Sequence, residues 1–304
     1  MQFRSQGPPP PAVIYLTTMS RPDAALALAL LLAYEAKRQA RVAAIAVNDA
    51  GLDAAVFCDL LIHYYAAGAP AANSNRLLPV GLVAANPMPA NPPMLQKAVE
   101  RRDEKGAFVY NRAVKRIADT SEVAAMIRNS LTGMPNGTVS IVLSAPAKDL
   151  VRALDLPSTR ESIAVKVKSL IVCEEGTAKD PESLKRVLAG WPTPIVHCSR
   201  ALGESLKFPA SSIEKDFAWA QTHPLVDIYT AFQKMPYDAP ASDMAAMLYA
   251  IDPKLFELTG NSIGVSESGK AAVLKAFTET VSAKPVPRQF GFRPPQNAKA
   301  EVKK

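Results

Sequence analysis

Val13-Ile-Tyr-Leu-Thr-Thr-Met-Ser-Arg-Pro-Asp23, continuing into Ala24-Ala-Leu-Ala-Leu-Ala-Leu-Leu-Leu-Ala-Tyr34, is the stretch whose reading decides the fold. A short apolar run rich in β-formers, Val13 to Leu16, breaks at a polar loop and re-emerges as an alanine/leucine segment, the pattern of strand, loop and buried helix. The loop then lies at the carboxyl end of a strand, where open α/β sheets bind their ligands. Ser20 offers a helix cap, Pro22 is tolerated in the first turn because its missing N–H would have no partner there, and Asp23 complements the positive helix end. Asp23 thus has a structural role open to it beside a functional one.

Working outward, Lys37, Arg38 and Arg41 mark the end of that helix, and Val42 to Val47 predicts a second strand. Asn48-Asp49-Ala50-Gly51 is a polar turn, Leu52 to Ala67 a helix closed by Gly68, and Leu77 to Val83 a third strand. The period changes from strand to helix twice within this part of the chain, the signature of βαβ units and a mainly parallel sheet. Ala84 to Gly106 crowds prolines and charges with no period, so it is expected to be a surface excursion that lines or covers a site. Ser121 to Thr132 and Pro181 to Leu188 predict helices; Thr138 to Leu143, Val165 to Cys173 and Thr193 to Cys198 predict strands. The last third reads as helices at Ile213 to Ala220, Leu225 to Gln233 and Ala241 to Ile251. Phe256 to Val273, with Gly260 and Gly264, predicts a late β-hairpin. The expected fold is a single α/β domain over residues 12–283, with a mainly parallel central sheet flanked by helices. A Pro-rich leader (1–11) precedes it and a basic Pro-rich tail (284–304) follows.

At 304 residues, 48% hydrophobic and 21% charged, the chain can bury a sizeable core. Cys58, Cys173 and Cys198 are widely spaced, odd in number and set in apolar surroundings, which argues against a disulfide framework or a zinc site. The net charge of +7 belongs mostly to the tail. There Lys284, Arg288, Arg293, Lys299, Lys303 and Lys304 face a single acid, Glu301, and no basic-aromatic stripe of the base-stacking kind accompanies them. A specific nucleic-acid partner is therefore not expected. No signal-peptide core opens the sequence and the apolar run from Ala24 is too short to span a bilayer, so the expectation is a cytoplasmic chain without a membrane partner.

There is no Gly-x-Gly-x-x-Gly after the first strand, no phosphate loop and no Gly-x-Ser-x-Gly elbow. His63, His197 and His223 lack metal-ligand spacing. What remains at the strand ends is Thr17, Thr18, Asp23, Asn48, Asp49, Lys148, Asp149, Glu174 and Glu175, with Asp238 in a late segment. On parallel, adjacent strands these would converge on one mouth, and converging carboxylates with hydroxyls and an amide suit sugar recognition or glycosidic hydrolysis. Asn48 and Asp49 serve equally well as turn formers.

In order, the landmarks resemble the inosine/uridine-preferring nucleoside hydrolases over residues 12–260. The family opens with a strand and an Asp-x-Asp-x-x-x-Asp-Asp loop before an alanine/leucine helix; here stands Thr17-Thr18-Met19-Ser20-Arg21-Pro22-Asp23-Ala24. Pro146-Ala-Lys-Asp-Leu-Val151 is similar to the family's Pro-Leu-Thr-Asn-Ile-Ala, and Asp180-Pro-Glu-Ser-Leu184 to Asp-Pro-Glu-Ala-Ala. Tyr237-Asp238-Ala239 leading to Tyr249-Ala-Ile-Asp-Pro253 is similar to His-Asp-Pro leading to Tyr-Leu-Ile-Asp-Pro.

In that family calcium acidifies a water that attacks the anomeric carbon of a ribonucleoside, an aspartate acts as base, and other acids grip the ribose. The resemblance places the base and metal ligand on Met19, the bidentate ligand on Ala24, the ribose-binding aspartate on Asp23 and the late ligand on Asp238. The threonine that offers its carbonyl falls on Lys148, the asparagine before the Asp-Pro helix on Gly176, and the preceding glutamate on Glu174. A thioether and a methyl group cannot replace two carboxylates around a cation that takes six to eight hard oxygens. No cofactor is therefore expected, calcium included, and Lys148 paired with Asp238 is the expected cation substitute. The expected ligand is a ribonucleoside-like small molecule held by Asp23, Asn48, Asp49, Glu174, Tyr237 and Asp238. Asp23, Asp49 and Glu174 are the candidate catalytic groups, and the family carries the expectation of a homo-oligomer. Three functions follow: a binding protein that has lost metal-dependent hydrolysis, a metal-free N-glycosyl hydrolase in which Lys148 supplies the charge, or a protein-interaction role.

Overall fold

The computed structural model describes residues 8–66 and 78–285. Among these, β1 (Ala12–Thr17), β2 (Arg41–Val47), β3 (Val80–Leu82), β4 (Val139–Ser144), β5 (Val167–Cys173), β6 (Ile195–Cys198), β7 (Glu257–Thr259) and β8 (Ser262–Gly264) form one sheet in the order 3-2-1-4-5-6-8-7. Every neighbouring pair is parallel except the β7–β8 hairpin. The helices are α1 (Pro22–Ala36), α2 (Leu52–Ala66), α3 (Pro93–Val99), α4 (Val123–Thr132), α5 (Lys148–Asp155), α6 (Thr159–Lys166) and α7 (Glu174–Thr177). They continue with α8 (Pro181–Gly190), α9 (Arg200–Ser205), α10 (Ala210–Lys215), α11 (Pro224–Phe232), α12 (Ser242–Ile251) and α13 (Glu267–Val281).

The opening stretch forms the centre as its composition dictates. Along β1, Val13 and Tyr15 join one core with α1, α2, α11, α12 and α13, while Ala12, Ile14 and Leu16 join a second with α4, α5, α6 and α8. A strand buried on both faces needs a continuous apolar run, and β1 has one. Helix α1 is apolar on every side because it is covered by the sheet and by other helices at once; of its residues only Tyr34 and Ala36 are less than buried. The strand order reverses between β1 and β4, so the loops after these two strands diverge to opposite faces and leave a crevice between them.

The mainly parallel sheet and the late hairpin agree with the sequence reading. Four details differ. The excursion after β3 contains a helix, α3, opened by Pro93 and half buried under α11. Helices α5 and α6, short and rich in charge, fill the stretch from Lys148 to Lys166. The hairpin ends at Gly264 rather than running to Val273, and Ser266, whose hydroxyl accepts from the Gly269 N–H, starts α13. The first expected helix of the last part of the chain, Ile213 to Ala220, is shorter and earlier, at α10. Most of the leader and of the tail, with Ala67, Gly68 and Leu77, lies outside the described residues. No helix among the described residues is long and apolar enough to cross a membrane.

Candidate functional site

The crevice between β1 and β4 is filled by charged side chains. At the end of β1, Thr17 Oγ1 accepts from the Met19 N–H at 3.1 Å, and Met19 adopts a left-handed backbone with φ of 49°. For a non-glycine residue that conformation costs on the order of 1–3 kcal/mol and is concentrated at ligand sites. The turn buries the Met19 side chain in the core. The chain then presents the Thr18 and Ser20 hydroxyls, 2.7 Å apart, and Arg21, the residue that precedes α1.

Arg21 stands among three carboxylates. One guanidinium nitrogen pairs with Glu175 on α7; the other lies 3.3 Å from Asp243 Oδ1 and 3.8 Å from Asp23 Oδ2. Asp243, in the first turn of α12, is buried and otherwise satisfied: Tyr15 donates to its Oδ2 at 2.7 Å and Ser144 to its Oδ1 at 2.7 Å. Ser144 is held from behind by Gly176, where a Cβ would lie within 2.6 Å of the Ser144 backbone. No larger residue fits between α7 and β4.

Asp23 is a helix-start residue, but for another helix. Its Oδ2 accepts from the Asp243 N–H at 2.7 Å and from the Ser242 hydroxyl at 3.2 Å, and its Oδ1 from the Met244 N–H at 3.1 Å. It thereby caps α12 from α1, satisfying orphan donors at the positive end of the helix. Burial first, then the neighbouring Asp243 charge, push Asp23 up to about 7, against the pull of Arg21 and of the two backbone donors. Tyr15 is likewise raised well above the ordinary phenol range, by burial and by Asp243.

The cavity left in the crevice is small, about 190 Å³, lined by Thr18, Ser20, Arg21, Ala24, Ser144, Glu175, Gly176, Lys179 and Asp243. Lys179 reaches Asp49 at 3.2 Å, tying the loop after α7 to the loop after β2. Small-molecule sites commonly run from about 300 to 1,000 Å³, so this space suits one ring rather than two.

The structure therefore redistributes the residues proposed from sequence. Asp23 is at the site, with its oxygens engaged by α12. Asp49, also left-handed with φ of 50°, stands at the rim in its bond to Lys179. Asn48 is buried and ties the β2 loop to the β4 loop by donating to Pro146 O at 3.0 Å, while its Oδ1 has no partner. Glu174 accepts from the Arg200 N–H at 3.0 Å and holds α9; the neighbouring Glu175 faces the cavity.

Three expectations are corrected. Lys148 and Asp238 form no ion pair; Lys148 opens α5, and Asp238 accepts from the Ala210 N–H at 2.8 Å at the start of α10. The cation beside the site's carboxylates is Arg21, because the helix start carries it straight into the crevice. The late carboxylate at the site is Asp243, which Asp23 and Tyr15 hold there, and not Asp238. Tyr237 is committed elsewhere, its hydroxyl donating to Tyr229 O at 2.7 Å and its ring stacked on Tyr229 at 4.4 Å. Arg21, Ser144, Tyr15 and Asp243 were missed as site residues. The available signal for Asp243 was an acid in the first turn of an otherwise apolar helix, a position that suits ordinary capping equally well.

The three cysteines are free and buried. His223 lies in an aromatic cage of Tyr64, Tyr65, Phe217 and Trp219, where burial pushes it down to about 3; its Nδ1 accepts from the Leu225 N–H. Among the described residues no three acids, histidines or cysteines are grouped to hold a metal ion.

Neither a protein-family model nor a curated protein sequence matches the chain. Solved structures do. The chain superposes on the plant nucleoside hydrolase PpNRh1 with a TM-score of 0.62 at 15% identity, covering 90% of this chain and 100% of that one. This chain has the nucleoside hydrolase fold. The inosine-uridine preferring nucleoside hydrolase from Bacillus anthracis gives 0.61 at 14% identity, over 91% of this chain and 100% of its own length. The effector protein XOO4466 gives 0.61 at 13% identity, over 90% and 94%. The fold is thus shared by proteins described as hydrolases and by one described as an effector.

Proposed function

We propose that this nucleoside-hydrolase-like chain uses the crevice at the carboxyl ends of β1 and β4 as a metal-independent binding site for a ribose-sized ligand, the sugar part of a ribonucleoside or a related glycoside. The reading rests on one observation above all, the Arg21 guanidinium held against Asp243, Glu175 and Asp23. A divalent cation there would meet a fixed positive charge in place of an open position. The donors do not suit calcium either. Met19 offers a buried thioether and Ala24 a methyl group where hard oxygens are required.

The same contacts argue for binding over hydrolysis. A general base needs an oxygen within reach of a water and free to take its proton. Asp23 has its oxygens on the start of α12, Asp49 is tied to Lys179, and Glu174 accepts from the chain at α9. The groups that do face the cavity, the hydroxyls of Thr18, Ser20 and Ser144 with Glu175 and Arg21, are donors and acceptors of the kind a sugar's hydroxyls require. A second reading, metal-free N-glycosyl hydrolysis, draws on the Asp23 carboxyl being pushed up to about 7, close to the working range of an acid-base group.

The test is reducing-sugar release from inosine and uridine, with calcium and with chelator, alongside calorimetric titration of ribose and of the two nucleosides. Heat of binding for ribose, unchanged by calcium and without sugar release, is the expected result. Release that survives the chelator favours the metal-free hydrolase, and release that requires calcium overturns both readings.

A further inference from the structure

A second cavity lies away from the crevice. It is a groove of about 830 Å³ between the start of α2, the end of α3 and residues 108–115, and it shares no lining residue with the sheet-end site. Its volume is in the ordinary range for small-molecule sites.

Its wall is built on Phe108, exposed to 41% in spite of its size. The guanidinium carbons of Arg102 and Arg112 lie 4.0 and 3.5 Å from the centre of that ring. At such distances a group must sit over a face rather than at the edge, and two guanidiniums cannot share one face, so they sandwich the ring. Each spends one N–H on the backbone, Arg102 on Gly106 O at 2.8 Å and Arg112 on Val99 O at 2.5 Å. A guanidinium has five such donors. Neither arginine, nor Lys115 on the same groove, has an ion-pair partner among the described residues. Desolvation first, then the like charge of Arg102, work against the charged form of Arg112, opposed by the more distant charges of Asp53, Asp59 and Glu100. Two cations flank an exposed ring and a third lines the same groove, and the acids nearest to Arg112, namely Asp53, Asp59 and Glu100, form no ion pair with any of the three.

We infer that this groove is a second ligand site, for a small organic molecule bearing one phosphate or carboxylate group on an apolar body. The arginine forks match the two oxygens of such a group, and the edge of Phe108 with Leu52, at the mouth of a wall that Val56 and Val99 complete, would meet the body. Asp53 and Glu100 line the same groove and would repel a polyanion, which restricts the ligand to a single anionic group.

Phenyl phosphate, benzoate and the uncharged benzyl alcohol are the probes, titrated calorimetrically into the full chain. Binding of at least one anion and not of the alcohol is expected, weakened by added salt; tighter binding of phenyl phosphate assigns a phosphate ligand, tighter binding of benzoate a carboxylate one. Arg102→Gln should weaken the bound anion about tenfold, the loss of one charged hydrogen bond. Lys115→Gln, whose side chain has no hydrogen bond or ion pair among the described residues, should weaken it several-fold and serves where Arg102→Gln fails to fold. No heat from either anion at about 10 mM, or equal affinity in wild type and in Lys115→Gln and Arg102→Gln, overturns the assignment.

Discussion

Two buried aspartates in this molecule have nearly the same partners and different situations. Asp227 on α11 accepts from the Tyr110 hydroxyl at 2.7 Å, pairs with Arg101 and has Lys97 at 3.9 Å. Asp243 on α12 accepts from the Tyr15 hydroxyl at 2.7 Å and from Arg21 at 3.3 Å. A phenol and a guanidinium serve each. Around Asp227 the cations outnumber the acid, and the cluster pins residues 97–110 onto α11. Around Asp243 one guanidinium is divided among Asp243, Glu175 and Asp23, and burial, with the Asp243 charge beside it, holds Asp23 well above the ordinary carboxylate range. The first arrangement is a clamp. The second, at the switch point of the sheet, is a place where acids have been concentrated beyond what local pairing requires, and such imbalance marks functional sites more often than structural ones.

Removing the shared guanidinium should break the comparison most severely. Arg21→Met leaves three carboxylates facing one another, and loss of one partner of a buried charge cluster costs about 3–5 kcal/mol. The cost should depend on pH. Asp23 is raised in the folded state, so the stability it contributes is present in full below the unfolded carboxylate range and is lost as pH rises through about 7. Without Arg21 its pull downward disappears and the decline extends to higher pH. Urea unfolding should therefore show a larger deficit for Arg21→Met at pH 8 than at pH 5. An equal deficit at both would mean that Arg21 acts by packing alone.

Asp227→Asn sharpens the contrast from the other side. The amide oxygen still accepts from Tyr110, but the charge facing Arg101 and Lys97 is gone, and a charge-assisted bond of this kind is worth about 1.5–3 kcal/mol. Denaturant unfolding should show a loss in that range, and calorimetric binding of ribose to the crevice should be unaltered, since Asp227 shares no contact with it. Altered ribose affinity would show that the clamp and the crevice are coupled.

How much of this was legible in the sequence follows from the range of the interactions. β1, its loop and α1 were readable because propensity and burial agree within one continuous stretch. The helices passed over are those where the pattern is weak, α5 and α6 being short and charged, or where neighbouring residues mislead, as Gly260 and Gly264 do before α13 and the prolines do before α3. Asp23 was legible as a helix-start residue and as a site residue, but not as the cap of α12, because Ser242, Asp243 and Met244 are distant in sequence. Arg21 was the harder case. A guanidinium beside a helix start reads as a solvated charge, and only the packing of α12 on α1 and of α7 on β4, the neighbour of β1, brings Asp243 and Glu175 to it.

The smallest effect expected is at Lys148, and it bears on how a lost metal site is compensated. A compensating cation has to satisfy two conditions at once: it must sit within contact of the carboxylates, and it must be held there by the backbone that carries it. Lys148 meets neither, since it opens α5 and has no ion-pair partner among the described residues. Arg21 meets both, fixed between the left-handed turn at Met19 and Pro22 at the first position of α1. Lys148→Met should accordingly change the unfolding free energy by no more than about 0.5 kcal/mol, as at an ordinary surface position, with ribose binding retained, against the several kcal/mol expected for Arg21→Met. A loss of comparable size in both variants would place the positive charge of the site in a pair of cations, and the crevice would then differ from the Asp227 clamp in degree only.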